Sequence, residues 1–372
     1  MKITDISTTP LWLPFKEPYH WAGRIDYGAA VVLVEVFTDE GVVGVGESTA
    51  GIPAHSTVAA LKSVAHLLVG EPAFDVERLV TKARYLGSFN HTPRAANLAL
   101  AGFEMALWDV LGKAAGWPVF RLLGGSVRDD VDYFGFVQGD TTEELVEDAR
   151  DLAAAGYSVI YLKVGRGAEA DLRNTAAVRE AIGARRLRLD ANGAWGVTEA
   201  IHMIGRLAPF EPEWIEQPTP PTSVAAMRQV KDGVTVPIAA DQAAFTPADV
   251  YEICRQRAAD AIVLSAHEAG GLHAFAKAAA IAEAAGLPVC LHGQNVSSIS
   301  DAAQHHLGLS TSNLSEGNQI MHQLIAEDLV VSPDLTPICG KIGPLETPGL
   351  GVELDRDAIA RAAERHAKEK WL

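Results

Sequence analysis

From residue 131 onward the chain alternates regularly between short apolar runs and longer stretches with helical spacing. Seven runs are VDYFGFV at 131–137, VIYLKVG ending at Lys163, LRLDANG at Asp190, WIEQP at Glu216, PIAADQ at Asp241, AIVLSAHEAGG at Ser265 and PVCLHGQ at His292. An eighth falls in NLSEGNQ, around Glu316. The intervals are 27 (190 − 163), 26 (216 − 190), 25 (241 − 216), 24 (265 − 241), 27 (292 − 265) and 24 (316 − 292) residues. Each interval is the length of one strand, one helix and two loops. A period of this size also fits a solenoid. The segments between runs share no repeat consensus, so a closed parallel β/α barrel is expected, with all strand ends converging on one face.

The first 125 residues follow a different pattern. Ile3–Leu13 reads as a strand, and AAVVLVEVFTDEGVVGVGES as two Val-rich strands around a turn at Asp39, Glu40 and Gly41. Residues 56–70 and 75–87 have helical spacing. The strongest helix signal is 93–115, with Pro93 in its first turn and Gly116 and Pro118 at its end. That helix is apolar almost all round and should be buried between layers. The tail after 317 has few clear periods but holds a strand-like GLGVEL and a terminal helix. The expected organisation is an α+β N-terminal capping domain at 1–125, joined by a C-terminal return at about 340–372, with the barrel at 126–339.

Three consecutive runs end in acids: Asp190, Glu216 and Asp241. Carboxylates converging at one barrel mouth repel each other unless a cation lies between them, and an all-oxygen site suits Mg²⁺. Helix N-capping is the plain alternative, but Glu is a poor N-cap. Asn192 and Gln217, beside two of these acids, are candidates to support them. The net charge of −16 over 372 residues argues against nucleic acid as a partner. Cys254, Cys290 and Cys339 form neither a disulfide framework nor a zinc motif. The N-terminus shows no signal-peptide pattern and no run is long enough to span a membrane, so a cytoplasmic location without membrane association is expected.

The ordered strings LKVG, LDANGAW, WIEQP, PIAADQ and AGG resemble the enolase superfamily, as do GFEMALWDVLGK followed by LLGG and the C-terminal GPLETPGLGVELD. The spacing is closest to the mandelate racemase/muconate lactonizing enzyme branch, and the resemblance covers essentially the whole chain. It implies a modified TIM (β/α) barrel with a capping domain. It also implies one Mg²⁺ on Asp190, Glu216 and Asp241, and removal of the proton α to the carboxylate of a small substrate through a metal-stabilised enediolate. A homo-oligomer is expected. Chemistry of this kind needs electrostatic stabilisation of the developing charge and a base whose pKa lies near neutrality.

The resemblance makes Lys163 the base, its pKa lowered by burial and a nearby cation. Many relatives have a second lysine where this chain has Tyr161, which should face the same site. Tyr161 is expected to orient Lys163, to bind a substrate carboxylate or to fill the barrel. Ser265 stands where relatives have Lys or Asp. His292 matches a catalytic histidine but lacks the Asp partner, so Ser265 is expected to hydrogen-bond it. His267 is a lesser candidate acid. Glu316 resembles an eighth-strand acid that binds the substrate carboxylate. His20 and Trp21 fall in a loop expected to close over the mouth, within residues 15–30. Gln294 and Asn295 are candidates to read the substrate. His305 and His306 read as structural. The expected reaction is racemisation, epimerisation or cycloisomerisation. The alternatives are β-elimination from a hydroxy or sugar acid, and a barrel that binds a carboxylate without turnover.

Overall fold

The computed structural model describes residues 1–21, 24–49 and 53–368. Strands β1 (Ile3–Trp21), β2 (Arg24–Thr38) and β3 (Val43–Thr49) form an antiparallel meander in the order β1-β2-β3. Both faces of this sheet are covered, which explains the continuous apolar run in β2. Val32, Val34 and Val36 pack on helices α1 (Ala54–Leu68), α2 (Val76–Leu86) and α3 (Pro93–Ala115), whereas Val31 and Leu33 join the core shared with the barrel. The β1–β2 arm is longer than the sequence suggested. Residues expected as a loop at 15–21 continue β1 after a register shift between Pro14 and Tyr19.

Helix α3 runs as expected, with Pro93 in its first turn and Gly116 closing it at φ 70°. It lies directly on the backbone of β3. A Cβ on Gly44 or Gly46 would stand 2.0 Å from the carbonyl oxygen of Ala106 or Gly102. The alternating glycines of VGVGES therefore permit a close helix-on-strand contact.

The second half is a modified β/α barrel. Its parallel strands are β5 (Gly135–Phe136), β6 (Val159–Lys163), β7 (Arg186–Asp190), β8 (Trp214–Glu216), β9 (Ile238–Ala240), β10 (Ala261–Leu264) and β11 (Val289–Leu291), adjacent in chain order. The first expected run divides. Strand β4 (Val131–Asp132) pairs antiparallel with Lys341–Ile342 of the tail, while β5 enters the barrel. Residues 314–318 close the ring through single parallel bridges, Leu314 to Val289 and Asn318 to Tyr133. Among the interior residues, Trp214, Ala239, Ala261, Val263 and Cys290 form one apolar cluster.

Buried carboxylates join the cap to the barrel. Glu47 of β3 accepts hydrogen bonds from the Ser297 backbone N–H at 3.0 Å and from the Ser297 and Ser300 hydroxyls at 2.7 and 2.9 Å. These donors open helix Ser298–Ser310. Glu104 of α3 accepts from the N–H groups of Leu272 and His273, the first residues of helix Leu272–Ala284, at 2.8 and 3.0 Å. Each acid thus satisfies otherwise orphaned helix N–H groups. Burial pushes both carboxyls up to about 7, against the lowering effect of these donors.

Gly271 makes the second contact possible. Its φ is +130°, and an added Cβ would lie 2.4 Å from the Glu104 carboxyl carbon. Gly271→Ala is expected to destabilise the protein by roughly 1–3 kcal/mol from backbone strain alone, before the clash with Glu104 adds to it. Urea denaturation would measure the loss, and an unchanged midpoint would contradict this account of the junction.

Candidate active site

Strand register places the acids together. Lys163, Asp190 and Glu216 are aligned across β6, β7 and β8, and Asp241 directly follows β9. Asp190, Glu216 and Asp241 are buried and offer oxygens within 4.8 Å of one another. The Tyr161 hydroxyl lies 2.6 Å from Asp190 Oδ2 and 2.8 Å from Glu216 Oε1, positioned to donate to either. Both Asp241 oxygens are buried without a hydrogen-bond partner. Burial, with the charge of Asp190 added, pushes Glu216 up to about 7. Burial also raises Asp241 well above the usual carboxylate range, overriding the opposing pull of His292. Buried carboxylates converging from three strand ends, one of them with both oxygens orphaned, fit an oxygen-preferring dication. A second grouping, Asp241 with Glu268 and His292, is equally compact. Glu268 is already committed there, accepting from the backbone N–H and the hydroxyl of Ser265, each at 2.9 Å.

Lys163 and His292 flank the acids. The Lys163 ammonium donates to Asp190 Oδ2 at 2.5 Å and to Asn192 Oδ1 at 2.9 Å. Its pKa does not fall as the sequence suggested. Burial pushes it down, but the charge of Asp190 outweighs burial and the net direction is up. A cation shared by the acids would draw off that charge and restore the downward direction. On the other side, His292 Nδ1 lies 3.2 Å from Asp241 Oδ1, without hydrogen-bond geometry, and 3.0 Å from both Glu268 oxygens. Burial lowers the imidazole, and the charges of Asp241 and Glu268 raise it further, to about 10.

These contacts correct the reading of His292 as lacking a carboxylate. Its partner is Glu268, three residues beyond the strand-end position that sequence comparison points to. Ser265 does not bond His292. It caps the short helix Ala266–Ala269, its hydroxyl donating to Glu268 Oε2 and accepting from the Glu268 N–H. Ser265 is fully buried and acts on the site by fixing Glu268. The pattern Ser-x-x-Glu after an apolar run is a capping-box signal and was readable at 265–268. Asn97 of α3 adds a bond from the cap, donating to the Glu268 carbonyl at 2.6 Å.

Three other expectations are corrected. Glu316 is an exposed residue paired with Arg186 at 2.8 Å, at the start of β7 and thus at the end of the barrel opposite the acids. His20 pairs with Asp140 at 2.8 Å and lines a neighbouring cleft of about 480 Å³, not the one above the acids. His267 is fully buried, its Nε2 2.9 Å from the Glu47 carbonyl, and burial lowers it to about 4. Tyr161 is fully buried with its ring stacked on Phe134 at 4.3 Å, and its hydroxyl is engaged by Asp190 and Glu216. Gln217 accepts from the N–H groups of Asp241 and Ala243, holding the Asp241 turn.

Above the acids opens a cleft of about 580 Å³. Lys163, Asn192, His292 and Glu268 form its floor. Trp21, Gln294 and Asn295 line its walls, along with Tyr19, Arg94 and Gln319, which sequence reasoning missed. Trp21 is half-buried, its indole N–H donating to Asp26 at 2.7 Å. His305 and His306 are buried, bonded to Tyr133 and Gly343 and to the Leu350 carbonyl respectively.

The profile of the mandelate racemase / muconate lactonizing enzyme N-terminal domain matches residues 4–124, and that of the enolase C-terminal domain-like region matches residues 144–358. Muconate cycloisomerase 1-1 of Acinetobacter lwoffii is 30% identical over 370 residues, covering 96% of each chain. L-Ala-D/L-Glu epimerase of Bacillus subtilis (strain 168) is 30% identical over 358 residues, covering 95% of this chain and 97% of the relative. D-galactonate dehydratase of Xanthomonas oryzae pv. oryzae is 28% identical over 387 residues, covering 98% and 95%. A solved enolase from Thermobispora bispora, complexed with magnesium and formate, superposes with a TM-score of 0.90 at 28% identity, over 99% of this chain and 94% of that one. Matched along nearly its whole length, and carrying three strand-end acids in a capped barrel, the chain belongs to the mandelate racemase / muconate lactonizing enzyme family of the enolase superfamily.

Proposed function

We propose that this protein is a Mg²⁺-dependent isomerase that moves the proton α to the carboxylate of a small substrate. The observation that carries the reading is the flanked triad, with Lys163 touching Asp190 on one side and His292 touching Asp241 on the other. Asp190, Glu216 and Asp241 would hold the ion. When bound, it supplies Lewis-acid stabilisation of negative charge on the substrate carboxylate. Lys163 and His292 then face a substrate lying between them from opposite flanks. Lys163 takes the α-proton, with Asn192 Oδ1 fixing the ammonium that results. His292, oriented by Glu268, delivers a proton to the other face. That outcome is racemisation or epimerisation. Trp21 and Tyr19 cover the cleft and limit water. The domain limits expected above, 1–125 with the 340–372 return and 126–339 for the barrel, are part of this proposal, as is a homo-oligomeric cytoplasmic enzyme.

A second reading is dehydration of a hydroxy acid. It is favoured by the Glu268–His292 pair, because a histidine held protonated is suited to give its proton to a leaving hydroxyl. Product analysis separates the two. An isomerase returns a stereoisomer or lactone of its substrate, whereas a dehydratase yields a 2-oxo acid with loss of water.

Acid/base roles are tested by deuterium exchange at the α-carbon in D₂O. Lys163→Ala is expected to abolish exchange from one stereoisomer. His292→Asn should keep that exchange but lower product formation by about 10²–10⁴-fold, the usual contribution of a general acid or base. Loss of exchange in His292→Asn with retention in Lys163→Ala would reverse the roles.

Metal binding is tested without turnover. Asp241 is raised above its unfolded pKa, so its ionised form costs stability, and the cost grows as pH rises from the unfolded value through the folded one. Asp241→Asn is therefore expected to melt higher than the parent in EDTA at pH 8. It should also lose the rise in melting temperature that saturating Mg²⁺ gives the parent, which at about 100-fold excess over Kd corresponds to roughly 2.7 kcal/mol. A variant that keeps the full Mg²⁺ shift would remove Asp241 from the ligand set.

Trp21→Ala tests the cover. KM should rise about tenfold, in keeping with loss of roughly 1.4 kcal/mol of binding, while the melting temperature changes little. A large stability loss with unchanged KM would make Trp21 a packing residue.

A further inference from the structure

Tyr161 lies two residues before Lys163 on β6, so it points the same way from one step deeper in the barrel. It is 1% exposed and does not line the cleft of about 580 Å³. Its hydroxyl nevertheless reaches two of the acids, lying 2.6 Å from Asp190 Oδ2 and 2.8 Å from Glu216 Oε1. The phenol therefore approaches these carboxylates from the barrel interior and leaves their cleft side open. A substrate in the cleft is out of its reach, which corrects the expectation that Tyr161 binds a substrate carboxylate.

The hydroxyl is held rigidly. Its ring stacks on Phe134, with centroids 4.3 Å apart and planes 4° apart, and Phe136 packs at 5.4 Å. A stiff aromatic side chain fixes its polar tip more closely than a four-carbon lysine stem does. One phenol proton serves one acceptor at a time. Asp190 and Glu216 thus share a single donor and are drawn towards it, against their mutual repulsion. Asp190 is fixed further, because its Oδ2 also takes the Lys163 ammonium at 2.5 Å and its Oδ1 the Asn192 N–H at 2.7 Å. Asp241 has no such help, and neither of its oxygens has a hydrogen-bond partner. Two of the three acids are preset from below, and the third is left to adjust. A lysine at 161 would bring a second ammonium beside Lys163 and would repel a dication. The tyrosine supplies a donor without the charge.

We infer that Tyr161 is a positioning residue of the cation site: its hydroxyl spaces Asp190 and Glu216 for a divalent ion. Through Asp190 Oδ2 it also steadies the carboxylate that Lys163 contacts. The inference deepens the proposed function and rests on it for the identity of the three acids as the ligands.

The test is Tyr161→Phe in the full-length protein, which keeps the ring stack and removes only the hydroxyl. Mg²⁺ affinity is read from the rise of melting temperature with Mg²⁺ concentration, and Mn²⁺ affinity from the EPR signal of the free ion. The Kd for each ion should rise about 10–100-fold, the usual cost of losing a partner of a metal ligand. A hydroxyl that only helps the barrel pack would lower the melting temperature in EDTA and leave both Kd values unchanged. Unchanged Kd values, or tighter ion binding in Tyr161→Phe, would overturn the inference. If the parent itself shows no response to either ion, the cation site of the proposed function is wrong and Tyr161 has nothing to position. If Tyr161→Phe weakens ion binding but the parent exchanges α-deuterium with no carboxylic acid, the positioning role stands and the proposed proton transfer fails.

Discussion

Mutual repulsion among Asp190, Glu216 and Asp241 is the constraint around which the molecule is arranged. At about 5 Å and an effective dielectric near 20, each ionised pair costs roughly 3 kcal/mol. The barrel concentrates these charges because parallel strands deliver their terminal side chains to one point. Its neighbours then relieve the charge unevenly. Asp190 has an ammonium and a phenol, Glu216 shares the phenol, and Asp241 has only an imidazole edge in poor geometry. The least satisfied acid is thus the one beside the histidine, and Lys163 and His292 touch the acids at the two ends of the triad.

The cap contributes to this geometry from a distance. Glu47 and Glu104 terminate two barrel helices that follow β11 and β10, the strands carrying His292 and the Glu268 turn. Asn97, one helical turn beyond Arg94, holds the Glu268 carbonyl. A single helix, α3, therefore fixes the partner of His292, docks on β3 through paired glycines and presents Arg94 to the cleft. Sequence enters through small residues that allow close approach, packing follows from that approach, and the orientation of the His292 imidazole follows from the packing. The buried acids that make these contacts are satisfied by helix N–H groups, which is how charge is tolerated at an apolar junction.

Much of this was legible from the chain because the barrel repeats. A fixed interval ending in Asp190, Glu216 and Asp241 needs no partner information to place three carboxylates at one face. Glu268 escaped notice because it lies three residues past the strand end, where a capping box rather than a strand sets its direction. Glu316 and His20 were misplaced by alternation. Tyr19 and Trp21, two apart on β1, both reach the cleft, and His20 between them turns towards Asp140. In the eighth segment the residue near the cleft is Gln319, while Glu316 comes before the closing bridge at Asn318 and remains at the far end. Arg94 was invisible for another reason. Its meaning depends on the cap lying over the barrel, a contact between residues 148 positions apart.

The two flanks of the triad are not equivalent, and the difference bears on direction of proton flow. Lys163 has one charged partner, Asp190, and one neutral acceptor, Asn192. If a cation takes up the Asp190 charge, little remains to hold the ammonium, and burial then favours the neutral amine. His292 has two acids. A cation that takes up Asp241 leaves Glu268, locked by Ser265 and Asn97, still facing the ring. With such an ion bound, the proton affinity of the lysine would fall more completely than that of the histidine. On the proposed function, this makes Lys163 the group with room to accept a proton and His292 the group with one to give. This ordering follows from which neighbours are triad acids and which are not, and it is set by the Ser265–Glu268 capping box as much as by the triad itself.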